Sequence, residues 1–244
     1  MIIAEIGLNH LGVNFLVDLY IRKLLETDID GITLQVREPE YYCGEKRRYT
    51  LHSYEYENVC NQIHLAKKKF GVALADINQI DMFEKFGVDF YKVIRNDMLD
   101  DELMKKLIST NKKLIVSTGT CSQEEIDEFV SKYNTENITL NHTQISYDVK
   151  DCNLSAIQTM RSRFGTNISY GSHCDNHNVL YMSVAYQPSD ILFYVKGWNA
   201  EEKTWPDDKH AISLKNVKQL VDDLKNLSKA IGTGIKDKME IKIK

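Results

Sequence analysis

The chain of 244 residues is 43% hydrophobic and 27% charged, with a net charge of −4. That balance supports a full apolar core and argues against a general nucleic-acid binder, which needs a basic excess. Glu5 interrupts the early apolar run, so no secretion signal is read, and no later run approaches the length of a membrane span.

In chain order, short apolar runs at 2–7, 31–36, 71–75, 89–94, 112–117, 137–142, 167–171 and 191–196 read as eight strands. Amphipathic stretches separate them. Leu16, Leu19, Tyr20 and Leu24 share one helical face, as do Ile126, Phe129, Val130 and Tyr133; Leu154, Ile157 and Phe164 continue the pattern, and Val217, Leu220, Val221, Leu224 and Leu227 form the clearest stripe. Ser122 with Glu125 reads as a capping box that opens the fifth helix. No linker or low-complexity tract divides the chain. Eight strands, each followed by a helix, predict an α/β fold of one domain, a (β/α)8 TIM barrel over 1–236, with 237–244 as a tail that is either a short added strand or a frayed end.

Five cysteines, Cys43, Cys60, Cys121, Cys152 and Cys174, form no C-x-x-C pair and are odd in number. They fit reduced thiols, and a cytoplasmic location is expected.

Polar residues end the apolar runs: Glu5, then Asn9 and His10, Gln35, Asp76, Lys92, Ser117, His142, His173 and Lys196. In a barrel these strand ends converge on one mouth. Ser117, Thr118 and Gly119 link the fifth strand to its capped helix, either as a structural turn or as an anion site at the positive helix end. Lys92 sits among apolar neighbours and needs an anionic partner, supplied by a salt bridge within the barrel or by a bound substrate. Arg95 follows it, adding positive charge or simply solvated. His142 and His173 end neighbouring strands; with Glu5 across the mouth, the two imidazoles are a candidate pair for a divalent cation, or else ordinary buried histidines. His210 precedes the last helix and is placed to reach the mouth. His52 and His64 fall in a helical region and read as packing or surface residues. Arg37, Lys46, Arg47 and Arg48 form a basic loop that is either a lid for an anion or a solvated run. Trp198 and Trp205 read as an aromatic wall for a sugar or as loop anchors.

Together, IAEIGLNHLG, VSTGTCSQEEI and the run from ISYGSHCDNHNVL to PDDKHAISL resemble the sialic acid synthase family, from Ile3 to about Lys236. The likeness covers the barrel alone, without the small C-terminal antifreeze-like domain of that family. It implies condensation of phosphoenolpyruvate with an N-acylated mannosamine-type aldose to a 2-keto-3-deoxy sugar acid, a divalent metal (Mn2+ or Mg2+), and a homodimer. By the same resemblance Glu5 works near the aldehyde and water, supported by Asn9 and His10, while Gln35, Lys92, Ser117 and Thr118 line the phosphoenolpyruvate pocket; in the mechanism that follows, Lys196 joins Lys92 and the Ser117 loop in holding its carboxylate and phosphate. His173 falls on one metal-ligating histidine. For the second, a gapless match puts Asn141 on the ligand, whereas a one-residue bulge restores His142. The chain departs from the family pattern at Thr33, where a lysine is usual, at Val195, Lys196 and Gly197 in place of glutamate-lysine-histidine, at Ser172 before His173, and in the ALADIN segment. Two further readings stay open: a metal-dependent sugar-phosphate isomerase or epimerase using the same barrel and ligands, and, supported by Thr33 and Gly197, a barrel that binds without catalysing.

Overall fold

The computed structural model describes residues 1–133, 136–165, 167–197 and 205–236. Trp198 and the tail at 237–244 lie outside the described residues. Eight parallel strands close on themselves: β1 (Ile2–Gly7), β2 (Gly31–Val36), β3 (Lys69–Leu74), β4 (Phe90–Val93), β5 (Lys113–Ser117), β6 (Ile138–Thr143), β7 (Ile168–Gly171) and β8 (Ile191–Lys196), with β1 paired to both β2 and β8. The helices are α1 (Asn14–Leu25), α2 (Ser53–Leu65), α3 (Ile80–Phe86), α4 (Asp101–Ser109), α5 (Gln123–Lys132), α6 (Ala156–Phe164), α7 (Asn178–Ser183) and α8 (Leu214–Lys229). This is the TIM barrel expected, and no described helix is long and apolar enough to cross a membrane.

The strands are buried on both faces, which is why they read as continuous apolar runs rather than alternating ones. One face packs against the helices, where Tyr20, Leu24, Ile126, Phe129, Val221 and Leu224 are buried. Each such side chain contributes roughly 1.5–3 kcal/mol by leaving water. The other face fills the barrel, where Ile3, Phe90, Ile115 and Leu192 form a separate apolar plug. Gly71 makes that plug possible, because a Cβ there would stand 2.2 Å from a Phe90 ring carbon. Two residues further along β1, β4 and β5, the same inward face carries Glu5, Lys92 and Ser117.

The capping box forms as the sequence predicts: Glu125 N donates to Ser122 Oγ at 3.2 Å, and Ser122 N donates to Glu125 Oε2 at 2.7 Å. One element was not anticipated. The two-residue strand β9 (Ile212–Ser213) pairs with the end of β8, Val195 opposite Ile212, and holds the preceding loop, with Asp207 and His210, over the barrel mouth.

Candidate active site

A cavity of about 320 Å³ opens at the C-terminal ends of the strands. Of the residues singled out in the sequence, Gln35, Arg37, Lys92, Arg95, Ser117, Asn141, His173 and His210 line it. Glu5 lies beneath, fully enclosed, and accepts a hydrogen bond from the Lys92 ammonium through Oε2, while its Oε1 has no partner. The lysine's need for an anion is thus met inside the barrel. The Lys92 ammonium also stands 5.2 Å from the centre of the Tyr194 ring. Burial, then the charge of Glu5, drives the Tyr194 phenol well above its usual pKa.

Other expected residues lie around the cavity rather than in it. Asn9 donates to the Val195 carbonyl at 2.7 Å and accepts from the Asp207 amide at 3.1 Å, tying β8 to the loop before β9. His10 accepts from the Gly12 amide at 2.9 Å in a tight turn, and burial lowers its pKa to about 4. Thr118 donates to the Asn141 carbonyl at 3.1 Å, and Lys196 binds the Asp208 carboxylate at 2.8 Å. Asp76 caps its own 3-10 turn, accepting from the Asn78 amide at 3.0 Å. Trp205 is a packing anchor: it is buried, meets Tyr20 edge-on at 6.4 Å, and covers Gly197 so closely that a Cβ there would fall 2.7 Å from its ring. His64 pairs with Asp89 at 2.9 Å on the outside of the barrel. Of the basic loop, Arg37 reaches the cavity, and both Arg37 and Lys46 stack on Tyr41, at 4.1 and 4.4 Å.

His142 requires a correction. Register between β6 and β7 runs without a bulge, Asn141 opposite Ser169, His142 opposite Tyr170 and Thr143 opposite Gly171. Strand alternation therefore points Asn141 and Thr143 inward and His142 outward. Its Nε2 sits 3.0 Å from the Cys152 carbonyl, under the helical layer and away from His173. Asn141 takes the inward place. Its Oδ1 accepts from the Ser169 hydroxyl at 3.0 Å, and its buried Nδ2 has no partner, so it offers the cavity a donor rather than a ligand oxygen.

Beside it, His173 Nδ1 lies 3.0 Å from Thr143 Oγ1. Burial, then the positive charges of His210 and Lys92, lowers the His173 pKa to about 3. Burial, then Lys92, lowers that of His210 to about 4, and neither His210 ring nitrogen has a hydrogen-bond partner. Neutral imidazoles with unused nitrogens are the form that binds a divalent cation. Among the described residues no group of three His, Cys, Asp or Glu side chains is placed to hold a metal ion, so the pair His173 and His210 fits such an ion when water or substrate oxygens complete the coordination.

Asp207 is the functional candidate the sequence reading missed. It lines the cavity, its Oδ1 lies 3.9 Å from His210 Nε2, and burial, then the charge of Glu5, pushes its pKa up to about 7. The acidic pair just before His210 was a visible signal, but its burial comes only from the loop folding over the mouth.

Polar strand ends converging on one cavity above an apolar plug define a (β/α)8 barrel enzyme with its chemistry at the C-terminal mouth. A model of the NeuB family matches residues 34–236, and the chain belongs to that family of phosphoenolpyruvate-condensing sugar-acid synthases. It is 24% identical to an N,N'-diacetyllegionaminic acid synthase of Campylobacter jejuni, over 97% of this chain and 78% of that protein. It is 23% identical to a pseudaminic acid synthase of the same species, over 96% and 75%. The crystal structure of an N-acetylneuraminic acid synthetase from Leptospira borgpetersenii, bound to citrate, superimposes with a TM-score of 0.89 at 24% identity, covering 98% of this chain and 87% of that one.

Proposed function

We propose that the protein condenses phosphoenolpyruvate with an N-acylated mannosamine-type aldose, giving a 2-keto-3-deoxy sugar acid and phosphate. The observation that carries this reading is the gathering of Lys92, Ser117, Asn141 and His173 in one cavity of a NeuB-family barrel. Lys92, Ser117 and the free Asn141 amide face the carboxylate and phosphate of phosphoenolpyruvate, with Gln35 beside them. The enol C3 attacks the aldehyde carbon, forming the new C–C bond, and the aldehyde oxygen takes up a proton. Water adds at C2 and gives its proton to a carboxylate base, a role this reading gives to Glu5 beneath the cavity; the tetrahedral centre then expels phosphate. A divalent cation, Mn2+ or Mg2+, held by His173 and His210, would supply Lewis-acid polarisation of the aldehyde. The same reading takes the working protein as a cytoplasmic homodimer.

The test is phosphate release from phosphoenolpyruvate with a panel of N-acylated aldoses, with and without Mn2+, and mass spectrometry of the product. One phosphate per new C–C bond supports the condensation. Turnover of a sugar phosphate without consumption of phosphoenolpyruvate would make the protein an isomerase or epimerase instead, and ligand binding without any turnover would make it a binding barrel.

A further inference from the structure

The cavity's charges do not suffice, in the state described, for a substrate bearing a carboxylate and a phosphate of about −1.5 to −2. The Lys92 ammonium is already paired with Glu5, and Thr33 offers only a buried hydroxyl. The remaining cations that line the cavity are Arg37 and Arg95. Arg37 is engaged by both Glu38 oxygens, at 2.8 and 3.0 Å.

Arg95 differs in three ways. Along β4, Phe90 and Lys92 face the barrel interior while Tyr91 and Val93 face the helices, so alternation alone would send residue 95 outward. A left-handed backbone at Arg95, φ 52°, breaks that alternation, and both Ile94 and Arg95 line the mouth. Non-glycine residues hold this conformation at a cost, and such sites cluster where ligands bind. Second, its buried Nε has no acceptor. Third, its terminal nitrogens reach Asp97 at 3.1 and 3.2 Å but Glu38 only at 3.3 Å, an oxygen pair Arg37 already holds more closely. Arg95 can release Glu38 while Asp97 keeps the guanidinium in place.

We propose that Arg95 is a substrate-binding residue whose guanidinium takes the phosphate of phosphoenolpyruvate, exchanging Glu38 for it. This rests on the condensation reading above. With turnover established in the unaltered protein, Arg95→Ala is expected to raise KM for phosphoenolpyruvate about 10- to 100-fold, with KM for the aldose changed less than about twofold. Arg95→Lys recovers part of the loss, because an ammonium cannot bind bidentately. Glu38→Gln, which removes the competing charge, keeps or tightens binding. Titration calorimetry with inorganic phosphate gives a readout independent of turnover, and loss of phosphate binding in Arg95→Ala supports the assignment. An unchanged KM in a folded Arg95→Ala protein overturns it, as does a Glu38→Gln variant weakened as much as Arg95→Ala, which would make the cluster a structural unit. If no aldose is condensed but phosphate binding still depends on Arg95, the condensation reading fails and the anion site stands.

Discussion

The rings of His173 and His210 stand 4.8 Å apart, centroid to centroid, one carried on the loop after β7 and the other on the loop before β9. His142, which ends the sixth apolar run, has no share in this pair. His173→Ala and His210→Ala should each weaken Mn2+ binding about 100-fold or more, beyond what supporting residues cost. His142→Ala should leave Mn2+ affinity and KM unchanged and lower stability by about 1–3 kcal/mol, because the buried Cys152 carbonyl loses its partner. Titration calorimetry and urea unfolding separate the two effects; Mn2+ binding that fails with His142→Ala would contradict the geometry.

Lys92 and Glu5 are both almost fully enclosed, so neither ion can be removed alone without leaving the other uncompensated. Lys92→Met is expected to destabilise the fold by about 3–5 kcal/mol in urea and to raise KM for phosphoenolpyruvate sharply. The double variant Lys92→Met with Glu5→Gln should recover most of the stability and none of the activity. A double variant no more stable than the single one would mean that the pair is not coupled.

Asp207 sets a pH dependence of unusual sign. Its folded pKa is raised from 3.8 to about 7, so the native state holds its proton more tightly than the unfolded chain does. Its contribution to stability is therefore complete below about pH 3.8 and is lost as pH rises through about 7, an effect on the order of 4 kcal/mol. His10, His173 and His210 act oppositely: their folded values are lowered, and their contribution is present above about pH 6.5 and lost as pH falls through 4 to 3. Asp207→Asn removes the first effect alone. Relative to the unaltered protein, this variant should gain stability between about pH 4 and pH 7 and level off above that; urea unfolding at several pH values measures it, and a constant difference would show that Asp207 does not titrate there.

The barrel was legible because each parallel strand is covered on both faces and reads as an apolar run, and because the helices show one buried stripe. Lys92, Ser117 and His173 were legible as polar ends of such runs. The choice between Asn141 and His142 was not, since adjacent residues on a strand face opposite sides and only the unbroken register of β6 against β7 decides which turns inward. Asp207, and the choice between the two readings of Arg95, were obscured for a different reason. Asp207 is buried by contacts that join residues 198 apart in sequence, Asn9 to Asp207, and Arg95 faces the cavity through one left-handed backbone angle that no residue pattern announces.

Gly7 provides a test of how tightly that mouth is assembled. It ends β1 with φ 58°, a conformation that costs a residue with a side chain about 1 kcal/mol or more. A Cβ added there would stand 3.0 Å from Asp207 Oδ2 and 3.3 Å from the Tyr194 ring. Both neighbours belong to the cavity wall, and the Asp207 backbone is tied in turn to Asn9. Gly7→Ala should therefore cost about 1–3 kcal/mol of stability through strain and crowding. It should also reduce kcat/KM by far more than that loss of folded protein explains, because Asp207 must shift within a site where small displacements matter. Gly87 is the control: it has φ 80° but nothing within 4 Å of its added Cβ. Gly87→Ala carries the same kind of backbone strain at the C-terminal cap of α3 and should lower stability while leaving kcat/KM unchanged. Equal losses of activity in the two variants would show that Gly7 matters only to folding.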